Sequence, residues 1–222
     1  MARLLIVAAA GMGRRLGRDE PKALVDLAGR PLISRTLDAL GAVSFARAVV
    51  VAPPGHETDF QAAVGGRAGI ISGGPTRTES VRRAFEALGA GPEDLVCIHD
   101  AARPLITAAE VLAVVEAAGR TGAAIAATPL YDTVKQVDGD RVVATLDRRA
   151  LFAAATPQVF RADLLRRALE SGREATDEAA LFEAMGFPVA VAPVSRLAFK
   201  ITTAEDLEIA GAVVLARSAV RR

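Results

Sequence analysis

The sequence predicts an α/β fold with a doubly wound, mainly parallel sheet and a protruding β-hairpin arm. Three observations predict it. Short runs of continuous apolar residues alternate with longer stretches of helical periodicity, the pattern of strands buried on both faces. Two Thr-x-x-Glu boxes stand where helices would begin after such runs. Further along, a Gly turn between two short polar runs breaks the rhythm.

Residues 4–9 read as a buried strand, and 31–40 as a helix with Pro31 at its start. Residues 48–52 (AVVVA) and 70–72 read as the next strands. Thr76-Arg77-Thr78-Glu79 is a capping box that opens a helix to about Leu88, and 95–98 is a fourth strand. Thr107-Ala108-Ala109-Glu110 is a second capping box, opening a helix to about Ala118, and 123–127 is a fifth strand. Residues 133–137 and 141–145 flank Asp138-Gly139-Asp140 as a β-hairpin, within an arm at about 131–150. A two-stranded hairpin alone is marginal, so it has to pack on something, its own domain or a second subunit. Helices follow near 162–170 and 178–185, strands at 188–194 and 198–201, and a final helix after Thr202 and Thr203. With no repeat or linker, residues 1–222 are expected to form a single domain.

Composition narrows the function. Hydrophobic residues make 51% of the chain, which excludes a disordered protein, and a net charge of +1 gives no field for nucleic acid or an anionic membrane. A lone cysteine, Cys97, excludes a disulfide framework and a multi-thiolate metal site; two histidines, His56 and His99, argue against a His-rich zinc centre. The apolar run at 4–10 is too short for a signal core and runs into Arg14, Arg15 and Arg18, and no stretch of about 18 apolar residues exists. A cytoplasmic protein is expected. Of 27 basic residues, 24 are arginine and three are lysine (Lys22, Lys135, Lys200), while alanine reaches 47 and asparagine is absent. This looks like a coding bias, and lysines that survive it become candidates for a role.

The first strand runs into Ala8-Ala9-Ala10-Gly11-Met12-Gly13-Arg14-Arg15-Leu16. Glycines there let backbone N–H groups approach an anion. A dinucleotide fingerprint would need glycine where Leu16 stands, and a P-loop would need a Gly-Lys-Ser/Thr ending that is missing. A nucleotidyltransferase loop fits Gly11, Gly13 and Arg15 followed by Glu20-Pro21-Lys22, with two cations suited to a triphosphate. The bland alternatives are a tight turn with solvated arginines and an ordinary surface Lys22. In Gly73-Gly74-Pro75-Thr76, the loop backbone and the Ser80 hydroxyl could read a base edge, or the segment could only cap its helix. At the end of the fourth strand, Asp100 is placed to hold a ribose hydroxyl or Mg²⁺, and Arg103 to meet a second phosphate. His99 reads as structural, since phosphoryl-type transfer needs positioning and charge more than a proton shuttle. Cys97 reads as a small buried residue.

Taken together, AAGMGRRL, EPKA, SGGPTRTESV, HDAARP, PLYDTVK, LDRRALF, ATPQVFR, TDEAALFEAMG and FKITT resemble the 2-C-methyl-D-erythritol 4-phosphate cytidylyltransferase family over nearly the whole chain. The resemblance implies a Rossmann-like nucleotidyltransferase fold and transfer of a cytidylyl group from CTP to a polyol phosphate in the non-mevalonate isoprenoid pathway, releasing pyrophosphate. It implies that Arg15 and Lys22 stabilise the triphosphate, and that Ala9, Ala10, Gly11, Gly13, Gly74, Pro75 and Ser80 hold the nucleotide. Asp100 would serve ribose and Mg²⁺. Lys200 would lie by the α-phosphate, and Arg148 would grip the methylerythritol phosphate with help from Arg103, Thr133 and Thr156. It implies a homodimer in which the arm carries Arg148 to the partner's site. The chain departs from the family pattern at Ala8 (proline is common), Ala23 (glutamine), Ala198 (asparagine) and Pro75, which lacks an N–H for the base. None of these removes a charged group. The same motifs leave room for another polyol phosphate such as ribitol 5-phosphate, or for a nucleotide-binding regulatory subunit without turnover. Lys135 lies in the hairpin with no role assigned.

Overall fold

The computed structural model describes residues 1–220. In chain order it contains β1 (Arg3–Ala8), β2 (Asp26–Leu27), β3 (Arg30–Pro31), α1 (Leu32–Leu40), β4 (Arg47–Ala52), α2 (Glu57–Val64), β5 (Gly69–Ser72), α3 (Arg77–Leu88), β6 (Leu95–Asp100), α4 (Ala108–Thr121), β7 (Ala123–Pro129), β8 (Val134–Asp138), β9 (Arg141–Leu146), β10 (Phe152–Arg161), α5 (Ala162–Glu170), α6 (Glu178–Ala184), β11 (Ala190–Pro193) and α7 (Ala204–Val220). Seven strands make the central sheet in the order β11-β7-β10-β6-β1-β4-β5. The ladders are parallel except those of β10, which runs antiparallel to both β6 and β7. The fold is therefore the mainly parallel α/β sheet that the apolar runs predict, and β8 and β9 form the predicted hairpin.

Strand β1 shows why the sheet is covered on both sides. Its side chains alternate between faces, yet from Leu4 to Val7 all of them are apolar. Leu5 and Val7 pack with Ile33 of α1, Phe60 of α2 and Val111 of α4. Leu4 and Ile6 pack with Phe85 of α3, Leu165 of α5 and Phe182 of α6. A third cluster joins Leu16, Leu27, Leu105 and Ile201 to Ala210 of α7, so the C-terminal helix closes over the loops that follow the strands.

Two sequence expectations need correction, and two elements appear that the sequence did not announce. The whole of β10 is unanticipated. Its Ala-rich start lacks the β-branched signature, and Pro157 falls in the register shift between Ala154 and Gln158, where a missing N–H breaks no ladder bond. Helix α2 is also unanticipated; its N-cap position is His56, whose side chain makes no capping hydrogen bond. Residues 198–201 are not a strand but a 3₁₀ turn (Arg196–Ala198) followed by a loop, because the carbonyls of Ala198 and Ile201 accept from the side chains of Arg103 and Lys22. The box at Thr107 forms in full, whereas Thr76 only accepts from the Glu79 N–H. The Glu79 carboxylate turns instead to Arg82 and Arg83, which hold its pKa down at about 2.

Phe160 of β10 and Phe182 of α6 stack with ring centroids 4.4 Å apart, both fully buried. Phe182→Ala is expected to destabilise the chain by about 3–5 kcal/mol, read from the urea midpoint. Leu215→Ala, on the exposed face of α7, should stay within about 0.5 kcal/mol of the parent.

Candidate active site

A cavity of about 350 Å³ opens at the carboxyl ends of β1, β4, β5 and β6. This is where open parallel sheets bind ligands, because the loops leaving the strands diverge there. Its floor and one wall are small or backbone-presenting: Ala9, Ala10, Gly11, Gly74 and Pro75. The cavity is also lined by four cations, Arg15, Lys22, Arg77 and Lys200, and by one carboxylate, Asp100. Among the described residues, Asp100 is the single acidic group lining it, and no cluster of three metal-ligating side chains is found.

The loop after β1 is a folded cradle. The Gly13 N–H donates to the Glu20 carbonyl at 3.0 Å and the Lys22 N–H to the Gly11 carbonyl at 3.0 Å, pinning the Pro21-Lys22 segment beside the loop. A Cβ on Gly13 would stand 2.9 Å from the Glu20 oxygen, so glycine is needed there for close approach. Gly13 lies outside the cavity lining, and its part in the site is to shape this turn. The N–H groups of Ala10, Gly11 and Met12 find no protein acceptor among the described residues. Unpaired N–H groups in succession beside cations make an anion site.

The cations nearest Asp100 are held apart because each is tied down. Lys22 Nζ donates to the Ile201 carbonyl at 2.9 Å, which fixes an otherwise flexible ammonium on the cavity wall. Burial, with Lys200 next in effect, lowers its pKa to about 8. Asp100 Oδ2 receives Lys200 Nζ at 2.9 Å and lies 3.6 Å from Arg103 Nε, while Oδ1 faces Arg77 Nη2 at 3.9 Å. Burial works against the Asp100 charge, but Lys200, Arg77 and Arg103 outweigh it and hold the pKa at about 2. Asp100 is thus a stable anion with one oxygen engaged by Lys200 and the other out of hydrogen-bond reach of Arg77. One cavity-lining carboxylate beside an anion cradle fits Mg²⁺, which takes one or two carboxylates and completes its shell with phosphate oxygens and water.

A buried clamp holds this carboxylate in place. The Asp100 N–H donates to Thr156 Oγ1 at 3.0 Å, and Thr156 Oγ1 lies 3.2 Å from His99 Nδ1. His99 Nε2 lies 3.2 Å from the Arg103 carbonyl. One tautomer satisfies all three contacts: Thr156 O–H donates to Nδ1, and Nε2–H donates to the carbonyl. Burial lowers the His99 pKa to about 4, so the ring stays neutral, as its structural reading requires. Cys97 is fully buried on the same strand, its thiol pushed up to about 12.

The structure gathers Ala9, Ala10, Gly11, Arg15, Lys22, Gly74, Pro75, Ser80, Asp100 and Lys200 around the cavity. Ser80 reaches it with its hydroxyl already engaged, accepting from the Gly74 N–H at 2.9 Å and donating to the Thr76 carbonyl at 2.8 Å. It holds the loop in which Gly74 cannot carry a side chain, since a Cβ there would meet Glu79 at 2.3 Å. Arg103 and Lys200 also line an adjoining hollow of about 570 Å³ with Tyr131 and Arg196. Thr156 is buried in the clamp and lines neither cavity. Thr133 and Arg148 lie outside both, with the exposed Arg148 donating to the Tyr131 carbonyl. Lys135 Nζ donates to Thr145 Oγ1 at 2.7 Å across the hairpin, a strand-pairing contact. Arg77 is the residue that sequence reasoning missed. Its signal was present, an arginine three residues after Gly74 inside an otherwise assigned motif, but nothing in the sequence announces its partner Glu178, 101 positions away.

Comparison with known proteins points to one family. The family profile described as IspD, 2-C-methyl-D-erythritol 4-phosphate cytidylyltransferase, matches residues 3–216. The enzyme of that name from Pelotomaculum thermopropionicum is 42% identical over 224 residues, covering 96% of this chain and 94% of the relative. The one from Frankia casuarinae is 45% identical over 214 residues, covering 94% and 80%. The crystal structure of 2-C-methyl-D-erythritol 4-phosphate cytidylyltransferase from Thermus thermophilus superposes with a TM-score of 0.81 at 37% identity, covering 96% of this chain and 98% of that one.

Lys22 generates a test with a defined sign. Below about pH 8 it is charged in both the folded and the unfolded chain, so the whole cost of burying that charge is present. As pH rises from about 8 towards 10.5, the folded form loses its proton first and the cost disappears. Lys22→Met is therefore expected to melt above the wild type at pH 7, the loss of about 1 kcal/mol from the Ile201 bond being smaller than the relief. The gap should close between pH 8 and 10.5; thermal melts showing a constant gap would count against the assignment.

Proposed function

The chain belongs to the 2-C-methyl-D-erythritol 4-phosphate cytidylyltransferase family, and from that membership we propose how its residues divide the work. The enzyme joins CTP and 2-C-methyl-D-erythritol 4-phosphate, giving 4-diphosphocytidyl-2-C-methyl-D-erythritol and pyrophosphate in isoprenoid precursor biosynthesis. The observation that carries the division of labour is the cavity itself: an N–H cradle, four cations and one ionised carboxylate at the carboxyl edge of the sheet.

In this reading the base and ribose lie against Ala9, Ala10, Gly74 and Pro75, where small residues admit a flat ring and the Ser80-braced loop presents backbone. The triphosphate lies over Gly11 towards Arg15 and Lys22. A phosphate oxygen of the second substrate attacks the α-phosphorus, the bond to the β-phosphate breaks, and pyrophosphate leaves with its charge offset by Arg15 and Lys22. Lys200 lines both cavities, so it can hold the α-phosphate and the incoming phosphate together. Arg103 supports the second substrate from the adjoining hollow. Asp100 would hold Mg²⁺, which supplies charge neutralisation on the phosphates. No residue needs to form a covalent intermediate.

The remaining assignments concern the arm. Val137 and Val142 pair across the hairpin and are each more than half exposed, an apolar patch that packing on a second subunit would cover. In a homodimer of that kind, Arg148 and Thr133 would serve the partner's second-substrate site, which suits their position outside this chain's own cavities. The reaction would take place in the cytoplasm; no helix among the described residues is long and apolar enough to cross a membrane.

Release of pyrophosphate on mixing the protein with CTP, Mg²⁺ and methylerythritol phosphate tests the reading directly. Arg15→Ala and Lys22→Ala are each expected to lower kcat about 10²–10³-fold with unchanged circular dichroism, and Lys22→Arg should also be impaired. Near-normal turnover in the two alanine variants would remove them from the mechanism. If Arg148 acts in the partner's site, mixing Lys22→Ala with Arg148→Ala subunits restores one intact site per mixed dimer. That amounts to about a quarter of wild-type activity after random exchange, whereas action in its own site restores none.

A further inference from the structure

We propose that Glu178 is a positioning residue of the transfer site, acting through Arg77 to keep Asp100 open to ligand. Glu178 opens α6, 101 positions along the chain from Arg77, and is 1% exposed. Its Oε1 accepts from Arg77 Nη1, and its Oε2 is buried with no hydrogen-bond partner. A buried carboxylate that is only half satisfied is expensive, so a merely structural ion pair would be better replaced by apolar residues. The observed geometry suggests what the pair does. The guanidinium is held by Nη1, and this leaves Nη2 at 3.9 Å from Asp100 Oδ1, near enough to orient that carboxylate and too far to hydrogen-bond it.

Glu178 is itself placed with care. Asp177 caps α6 by accepting from the Ala180 N–H at 3.1 Å. Gln158 of β10 donates to Asp177 at 2.8 Å and accepts from the Ala179 N–H at 3.2 Å. The loop ahead of it receives Thr76 Oγ1 on Glu174 Oε1 at 2.9 Å. The carboxylate is therefore delivered to Arg77 from a rigid frame fixed to the same strand, β10, that carries the Thr156 clamp. Without its charge, Arg77 would have Asp100 as its nearest anion. It would close the 3.9 Å gap, occupy Oδ1 and compete with Lys200 for the carboxylate.

The inference rests on the cytidylyltransferase reading, and the experiment separates the two. If wild type fails to release pyrophosphate from CTP and methylerythritol phosphate, the reading itself is wrong. Given wild-type turnover, Glu178→Gln retains the shape and an acceptor for Arg77 while removing the charge. It is expected to lower kcat about tenfold and to weaken CTP binding severalfold by calorimetry without the second substrate, leaving KM for the polyol phosphate within about twofold. Should Glu178→Gln not fold, Arg77→Met/Glu178→Met removes both charges at similar volume and is expected to be at least as stable as wild type. With no guanidinium left to close on Oδ1, Asp100 stays open in this variant, and its CTP affinity is expected to remain within about threefold of wild type. Stable, folded Glu178→Gln with wild-type kcat and CTP affinity overturns the proposal, as does loss of CTP affinity beyond about threefold in the double variant, or an equal loss in both substrates that follows the folded fraction.

Discussion

The site depends on one buried anion. Asp100 sits at the end of the central strand β6, its side chain 9% exposed, and four cations lie around it. Lys22, Lys200, Arg77 and Arg103 would repel one another strongly in so small a volume, because screening by water is weak there. The fold disperses that repulsion by giving each a separate tether: Ile201 O for Lys22, Asp100 for Lys200, Glu178 for Arg77, and Ala198 O for Arg103. What remains is a fixed positive field with no mobile counter-charge, which is the condition for stabilising a polyanion without reorganisation at the moment of reaction.

Those tethers explain why the segment after β11 is irregular. A strand at 198–201 would commit its carbonyls to a neighbour, whereas here the Ala198 and Ile201 carbonyls are acceptors for side chains of the site, and the Ile201 N–H donates to the Ala102 carbonyl. The irregularity carries Lys200 across the mouth of the cavity on a segment fixed at three points. Alanine at 198 contributes through its backbone alone, and that is enough for the Arg103 contact.

The legible part of the sequence was the part governed by local rules. Apolar runs revealed the parallel strands because strands buried on both faces cannot be polar on either, and the glycine loop and the Pro21-Lys22 step were readable because they constrain backbone close to a ligand. Three kinds of feature were not readable. Strand β10 is chemically bland, its alanines fitting helix as well as sheet. Thr156 and Ser80 carry hydroxyls that could serve ligand or protein, and only the fold reveals that both are engaged internally. Arg77 and Glu178 lie 101 positions apart, and their pairing follows from the chain path that brings the start of α6 to the start of α3, which no short window contains.

The reversed strand β10 also bears on the order in which the molecule can be completed during synthesis. Its two neighbours, β6 and β7, are made earlier, yet they do not pair with each other; each pairs with β10 between them. A nascent chain that has not yet supplied residues 152–161 therefore carries two open sheet edges and an Asp100 without its Thr156 clamp. Lys200 and the Ile201 carbonyl arrive later still. The hairpin arm precedes all of these, so its apolar surface is presented before the sheet can close. Nucleotide affinity is thus among the last properties this chain acquires, and a truncated product would bear the loop after β1 but not the charge constellation that gives that loop its use.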